Sequence, residues 1–161
     1  MKSIIKAPQF FEMIINEEII KGIYRHAVEE YPNECCGIVT GSAEKQTLHQ
    51  CRNIQNELHS EDPERHPRNA RTAYAIDRKE ADKIYADTLR RGGEVLAFYH
   101  SHIDCDAYFS DTDIAAQTVF GEPEFPNALH LVVSVVERNI LGMKCFKWDK
   151  DNASFVLIDG Q

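Results

Sequence analysis

His100, His102, Ser110 and Asp113 stand at spacings that suit a metal-centred hydrolysis, within the segment EVLAFYHSHIDCDAYFSDTDIAAQ from Glu94 to Gln117. The apolar residues ahead of His100 predict a strand that ends near His102. Side chains at i and i+2 of a strand leave the same face, so the two imidazoles project together. A lone His-x-His pair is common as surface polarity or as part of a hydrogen-bond network. Here Ser110 and Asp113 follow it, and the pattern over Asp111 to Phe120 predicts a short helix with Asp113 in its first turn. Two imidazoles and one carboxylate leave a fourth tetrahedral position for water, as in catalytic rather than structural zinc sites. The same donors also suit iron or manganese. Ser-x-x-Asp is in addition close to a capping box, with Ser110 starting the helix. The two readings are compatible, because a capped helix start is a rigid mount for a ligand. Ser101, between the histidines, points to the opposite face and is expected to be structural. His26, His49, His59, His66 and His130 have no partners at metal spacing and are read as ordinary residues.

The elements that must position these residues alternate between strand and helix. Phe10 to Ile15 is apolar enough for a first strand. Asn16 is placed to cap a helix over Glu17 to Tyr31, with Ile19, Ile20, Ile23, Tyr24, Ala27 and Tyr31 on one face and Pro32 ending it. Cys36 to Gly41 reads as a short buried strand and Thr47 to Asn53 as its neighbour. The polar, proline-containing stretch Gln55 to Arg71 is expected to be the one long loop. Ala73 to Ile76 is a strand fragment. Asp77 and Glu80 form a cap for a second helix over Arg78 to Arg91, buried through Ala81, Ile84, Tyr85 and Leu89 and stopped at Gly92 and Gly93. Leu129 to Val136 and Leu141 to Trp148 are a strand pair turning near Arg138 and Asn139, and Phe155 to Ile158 a last strand. The fold class is α/β, or mixed α+β: a sheet of about six strands flanked by two main helices.

The complete pattern His-x-His-x7-Ser-x-x-Asp arises by accident on the order of once in a thousand chains of this composition. It resembles the signature of the JAMM (MPN-plus) zinc metallopeptidases. In the bacterial, single-domain branch of that family a glutamate sits upstream in a Pro-x-Glu-x-Cys-Gly stretch; here that stretch is Pro32-Asn33-Glu34-Cys35-Cys36-Gly37. The helix ending in Gly-Gly, the Tyr-His-Ser-His strand end and the closing strand pair are also similar. The resemblance covers Ile14 to Ile158, so 1–161 reads as one domain. The family usually has Pro after the second histidine, where this chain has Ile103. That alters the loop Ile103 to Phe109, which bears on substrate preference more than on metal binding. Cys105 lies in this loop and is read first as a small side chain in a tight turn, with a fourth, resting-state ligand as the alternative.

The resemblance implies a central mixed sheet of cytidine-deaminase-like architecture with a short helix after the metal motif. It implies one Zn2+ per chain on His100, His102 and Asp113. Glu34 would be the general base that later protonates the leaving amine, and Ser110 a hydrogen-bond donor to the developing oxyanion. The implied reaction is hydrolysis of an amide or isopeptide bond at the C-terminal glycine tail of a ubiquitin-like protein, a β-grasp sulfur carrier or a conjugated modifier. A carrier tail is expected to lie extended beside a sheet edge. A non-catalytic MPN scaffold and a zinc hydrolase of a small molecule are the alternatives from other classes.

Composition narrows the setting. The chain has 161 residues, 43% hydrophobic and 27% charged, which is ordinary for one globular domain. Its net charge of −8 is a poor match for nucleic acid. No apolar run approaches the roughly 20 residues of a membrane span, and the start, MKSIIKAPQF, does not read as a secretory signal. The 5 cysteines form no CxxC pair and suggest no disulfide framework, so a cytoplasmic protein with reduced thiols is expected.

Overall fold

The strand that carries both histidines is the hub of the architecture. In the computed structural model, which describes residues 14–42 and 44–160, this strand, β3 (Glu94–Ile103), is buried on both faces from Ala97 to His102. Such a strand needs neighbours on both edges and cover on both sides. Its edges are taken by β1 (Cys36–Gly41), antiparallel, and β6 (Leu129–Val136), parallel. The sheet is completed by β2 (Gln46–Cys51), β7 (Asn139–Asp149) and β8 (Ser154–Gly160), in the order β2-β1-β3-β6-β7-β8. The expected six-stranded mixed sheet is thus present.

Each sheet face has its own cover. On one side lies α1 (Glu17–Glu30), whose Ile20, Ile23 and Ala27 pack on Val39, Tyr99, Leu131, Val133 and Met143. Asn16 stands at its N-cap, but its side chain makes no capping bond. Its backbone N–H instead donates to Gln46 Oε1 at 2.8 Å, tying the helix start to β2. On the other side lies α3 (Arg78–Arg90), capped by Asp77, which accepts from the Glu80 N–H at 3.1 Å. Ala81, Ile84 and Tyr85 of α3 pack on Cys36, Ile38 and Phe98.

Several expectations are corrected. Of the residues expected to form a first strand, Phe10 to Met13 lie outside the described set, and Ile14 and Ile15 form a turn and a bend. The stretch from Gln55 to Arg71 is not one loop, because it opens with the helix α2 (Gln55–Glu61). Ala73 to Ile76 contributes only the isolated bridge Asn53↔Ile76. Leu89 is 79% exposed, and Thr88 is buried in its place. The Thr88 hydroxyl is satisfied by the Ile84 carbonyl at 2.7 Å, so that its methyl faces inward. The helix after the metal motif, α4 (Asp111–Gln117), stops three residues early and runs into a small hairpin of β4 (Thr118–Val119) and β5 (Glu122–Pro123). The β6–β7 turn is centred on Glu137 and Arg138, both at positive φ, the signature of a two-residue hairpin matched to strand twist.

Gly37 follows Cys36 in β1 because Tyr99 lies across it. A Cβ at Gly37 would fall inside contact distance of the Tyr99 ring and the His49 carbonyl. Tyr99 is 1% exposed and hydrogen-bonds His26 Nδ1 at 2.8 Å, so the ring has nowhere to move. Overpacking of this kind costs about 1–3 kcal/mol. Gly37→Ala is expected to lower Tm by roughly 3–10 °C in a thermal melt. An unchanged Tm would show that the ring relocates freely.

Candidate metal centre

The end of β3 delivers the two imidazoles as strand alternation requires. His100 and His102 are buried, and their Nε2 atoms lie 3.2 Å apart. Asp113, also buried, brings Oδ2 to 3.1 Å from His100 Nε2 and 3.3 Å from His102 Nε2. Donor atoms each about 2.0–2.1 Å from one tetrahedral zinc lie roughly 3.3 Å from one another. The spacing and the chemistry of this donor set therefore fit such an ion. The three form the one metal-competent His/Cys/Asp/Glu group among the described residues. Cys105 is exposed and stands outside it.

Local backbone chemistry fixes each donor. Ser110 and Asp113 make a full capping box at the start of α4. Ser110 Oγ accepts from the Asp113 N–H at 3.1 Å, and Asp113 Oδ2 accepts from the Ser110 N–H at 2.9 Å. One carboxylate oxygen thus serves both the helix cap and the donor triad, so the two readings of Ser-x-x-Asp coincide. His102 Nδ1 lies 3.2 Å from the Asp106 carbonyl. A carbonyl only accepts, so with an ion on the triad Nδ1 would donate to it and Nε2 would turn its lone pair to the ion. Tyr74 stacks on His100 at 4.6 Å and Tyr108 stands edge-on to His102 at 4.6 Å.

The loop where this chain departs from the family pattern is well anchored. Ile103 extends β3 by pairing with Val135. Asp104 takes φ 54°. Its carboxylate accepts from the Glu137 N–H at 3.0 Å and from the Tyr31 hydroxyl, and it pairs with Arg71 at 3.5 Å. Ser134 donates to the Cys105 carbonyl at 2.5 Å. These bonds hold the Asp106 carbonyl where it orients His102.

Glu34 lies just ahead of β1. Cys36 pairs with His100, and the Ser101 N–H donates to the Cys35 carbonyl, so Glu34 falls opposite His102 on the site face. It is 4% exposed, and its Oε2 has no hydrogen-bond partner among the described residues. Burial, reinforced by the Asp113 charge and opposed by Arg68, pushes its carboxyl up to about 9. Burial likewise lowers His100, against the pull of Asp113. Burial works upward on Asp113, but its bonds from His100 and His102 outweigh it and hold it well below the usual carboxylate range. Ser101 is structural as expected: its Oγ accepts from the buried Cys35 N–H at 2.8 Å.

The raised Glu34 carboxyl has a consequence for the metal-free protein. Below about pH 4.5 the folded and unfolded chains both hold this proton. Above it the unfolded chain ionises while the folded one keeps its proton until about pH 9, so stability falls across that window and levels off beyond it. Glu34→Gln removes this penalty. In chelator, the variant is expected to melt roughly 10–20 °C above wild type at pH 8 and within about 3 °C of it at pH 5. A difference that does not vary with pH would refute the buried, protonated carboxyl.

Some site features have no signature in sequence spacing. Tyr74 and Arg68 arrive from the segment read as a loop and the strand fragment after it. His130 lies beside Phe98 in the register of β6, stacked on it at 5.6 Å and enclosed by Phe109 and Phe155. Burial pushes it down to about 3, so it is a neutral wall of the site and not a donor.

Comparison with known proteins agrees with this geometry. The family model for prokaryotic homologs of the JAB domain matches residues 16–147. The CysO-cysteine peptidase of Mycobacterium tuberculosis is 26% identical over 130 residues, covering 77% of this chain and 74% of that protein. Tail tip assembly protein K of Escherichia phage N15 is 30% identical over 101 residues, covering 63% of this chain and 35% of that protein. A solution structure from Desulfitobacterium hafniense aligns with TM-score 0.62 and 18% identity over 89% of this chain and 87% of that one. One from Salinibacter ruber aligns with TM-score 0.56 and 24% identity over 89% and 86%. These two show the fold alone. The matched span runs from the start of α1 into β7 and takes in the donor triad and Glu34, and it supports a peptidase-like function: the chain belongs to the prokaryotic JAB-domain family, as a bacterial JAMM-like protein.

Proposed function

We propose that the chain is a zinc-dependent peptidase that hydrolyses an amide bond at the C-terminal glycine tail of a ubiquitin-like protein, a β-grasp sulfur carrier or a conjugated modifier. The observation that carries this reading is the convergence of three buried donors beside a buried carboxyl group whose Oε2 has no partner among the described residues. A relative named CysO-cysteine peptidase supports the substrate class. His100, His102 and Asp113 would hold one zinc, which supplies Lewis-acid polarisation and a water acidified toward neutrality. Glu34 would accept a proton from the attacking water and return it to the leaving amine. Its burial suits both steps, because a carboxyl with a raised pKa holds the proton between them. The Ser110 hydroxyl, whose oxygen accepts from Asp113, keeps its own proton to donate to the developing oxyanion.

Within the main sheet β3 is paired on both sides, and among the described residues the outer strands of that sheet are β2 and β8, so the edge that receives the tail is not β3 itself. Loop backbone and Tyr108, which is 51% exposed over His102, meet the tail instead. The test is incubation of the zinc-loaded protein with a β-grasp carrier extended past its terminal glycine pair. Loss of the extension, read as an intact-mass change and blocked by chelator, is the expected result. An unchanged carrier mass with a zinc-loaded, folded protein would overturn the reading.

A further inference from the structure

The segment that carries Arg68 is bonded to the backbone of Glu34. The segment 62–71 is fastened from three directions. Gln55 Nε2 donates to the Arg68 carbonyl at 2.8 Å, and Asn56 Oδ1 accepts from the Ala70 N–H at 2.7 Å. The Glu34 N–H donates to the Ala70 carbonyl at 2.8 Å. Arg68 is therefore two residues from a direct backbone bond to the proposed base. Its neighbour Arg71 is engaged by Asp104 at 3.5 Å. The Arg68 guanidinium is exposed and has no ion pair or hydrogen bond among the described residues. Its charge is nonetheless felt at Glu34, where it opposes the effect of burial.

We propose that Arg68 is a specificity-determining residue that binds the free α-carboxylate of the leaving group, so that the preferred substrate carries a single amino acid beyond the scissile bond. The proposal rests on the reading of Glu34 as the proton donor to the leaving amine. That amine must come within a hydrogen bond of Glu34. In an amino-acid leaving group the carboxylate carbon is two bonds from the amine nitrogen, so the carboxylate stays close to Glu34, the group that feels the Arg68 charge. A carboxylate arriving beside Glu34 and Asp113, in a chain of net charge −8, needs a compensating cation. The planar guanidinium fork is matched to a carboxylate in two parallel hydrogen bonds. A lysine side chain leaving from an isopeptide bond brings no carboxylate to this position and gains nothing from Arg68.

The test compares two substrates: a β-grasp carrier extended past its glycine pair by one alanine, and the same carrier ending in alaninamide. Wild type is expected to cleave the free carboxylate roughly tenfold or more faster in kcat/KM, the size of a hydrogen bond to a charged group. In Arg68→Gln that ratio is expected to fall to within about twofold of one, with Arg68→Lys intermediate. A purely structural role for Arg68 would slow both substrates alike and leave the ratio unchanged, which would overturn the proposal. Equal rates in wild type would overturn it too. Cleavage of neither substrate by zinc-loaded wild type would instead overturn the peptidase reading, and the assignment of Arg68 would fall with it.

Discussion

Glu34→Gln is expected to reduce kcat/KM on a tail substrate by roughly a thousandfold to ten-thousandfold while leaving one zinc per chain. The size follows from removing a positioned proton carrier. Glutamine has nearly the same shape and fills the same buried site, which is only 4% exposed in wild type. What it loses is the capacity to take a proton from water and give it to an amine. Metal content should survive, because Glu34 is not among the three converging donors. The pH–rate profile carries a second signature. Without metal, burial and the Asp113 charge hold the carboxyl at about 9. A divalent cation nearby favours the ionised form and draws that value down. The acid limb of the profile should therefore lie below pH 9 and vanish in the variant. Activity within tenfold of wild type, with zinc retained, would remove Glu34 from the mechanism.

Asp113→Asn is expected to be the strongest metal-binding lesion that spares the fold. Losing a partner that merely orients a ligand costs about 10–100-fold in metal affinity. Losing the only anionic donor of three should exceed roughly a hundredfold. Dialysed variant protein should retain under about 0.1 zinc per chain by mass spectrometry, against about one in wild type. Asparagine keeps a carbonyl oxygen to accept from the Ser110 N–H, the bond Asp113 makes at 2.9 Å, so the cap at α4 persists. The metal-free variant should still melt cooperatively, at a lower Tm than metal-free wild type, because it loses the ionised carboxylate that His100 and His102 stabilise. His100→Ala should lose the metal equally. A variant that holds zinc at wild-type stoichiometry would show that Asp113 is a cap and not a ligand.

The periodic elements are open to reading because their signals are local. β1 runs over Cys36–Gly41 as its apolar pattern predicts, and α1 and α3 bury the expected stripes, apart from Leu89. Alternation along β3 places both histidines on one face without help from any tertiary contact. The resemblance around Tyr99 to Asp113 and at Glu34 names the residues that the fold brings together. The segment after Gln55 is opaque for a physical reason. Its helix α2 is seven residues long with no apolar period, and side-chain bonds from Gln55 and Asn56 order residues 62–71 beyond it. Such bonds leave no pattern in a sequence.

Sequence by itself determined the donor types, their shared strand face, the capped helix start and the mixed-sheet class, because each depends on residues within a few positions of one another. Only the tertiary structure decided how these pieces meet. The β1–β3 register puts Glu34 opposite His102, and the Asp106 carbonyl meets His102 Nδ1 at 3.2 Å. The Ala70–Glu34 backbone bond brings the segment that carries Arg68 to the base. Each of these joins residues brought together by the long-range register of the sheet or by a loop anchored to it, and such contacts exist only once the chain has closed around β3.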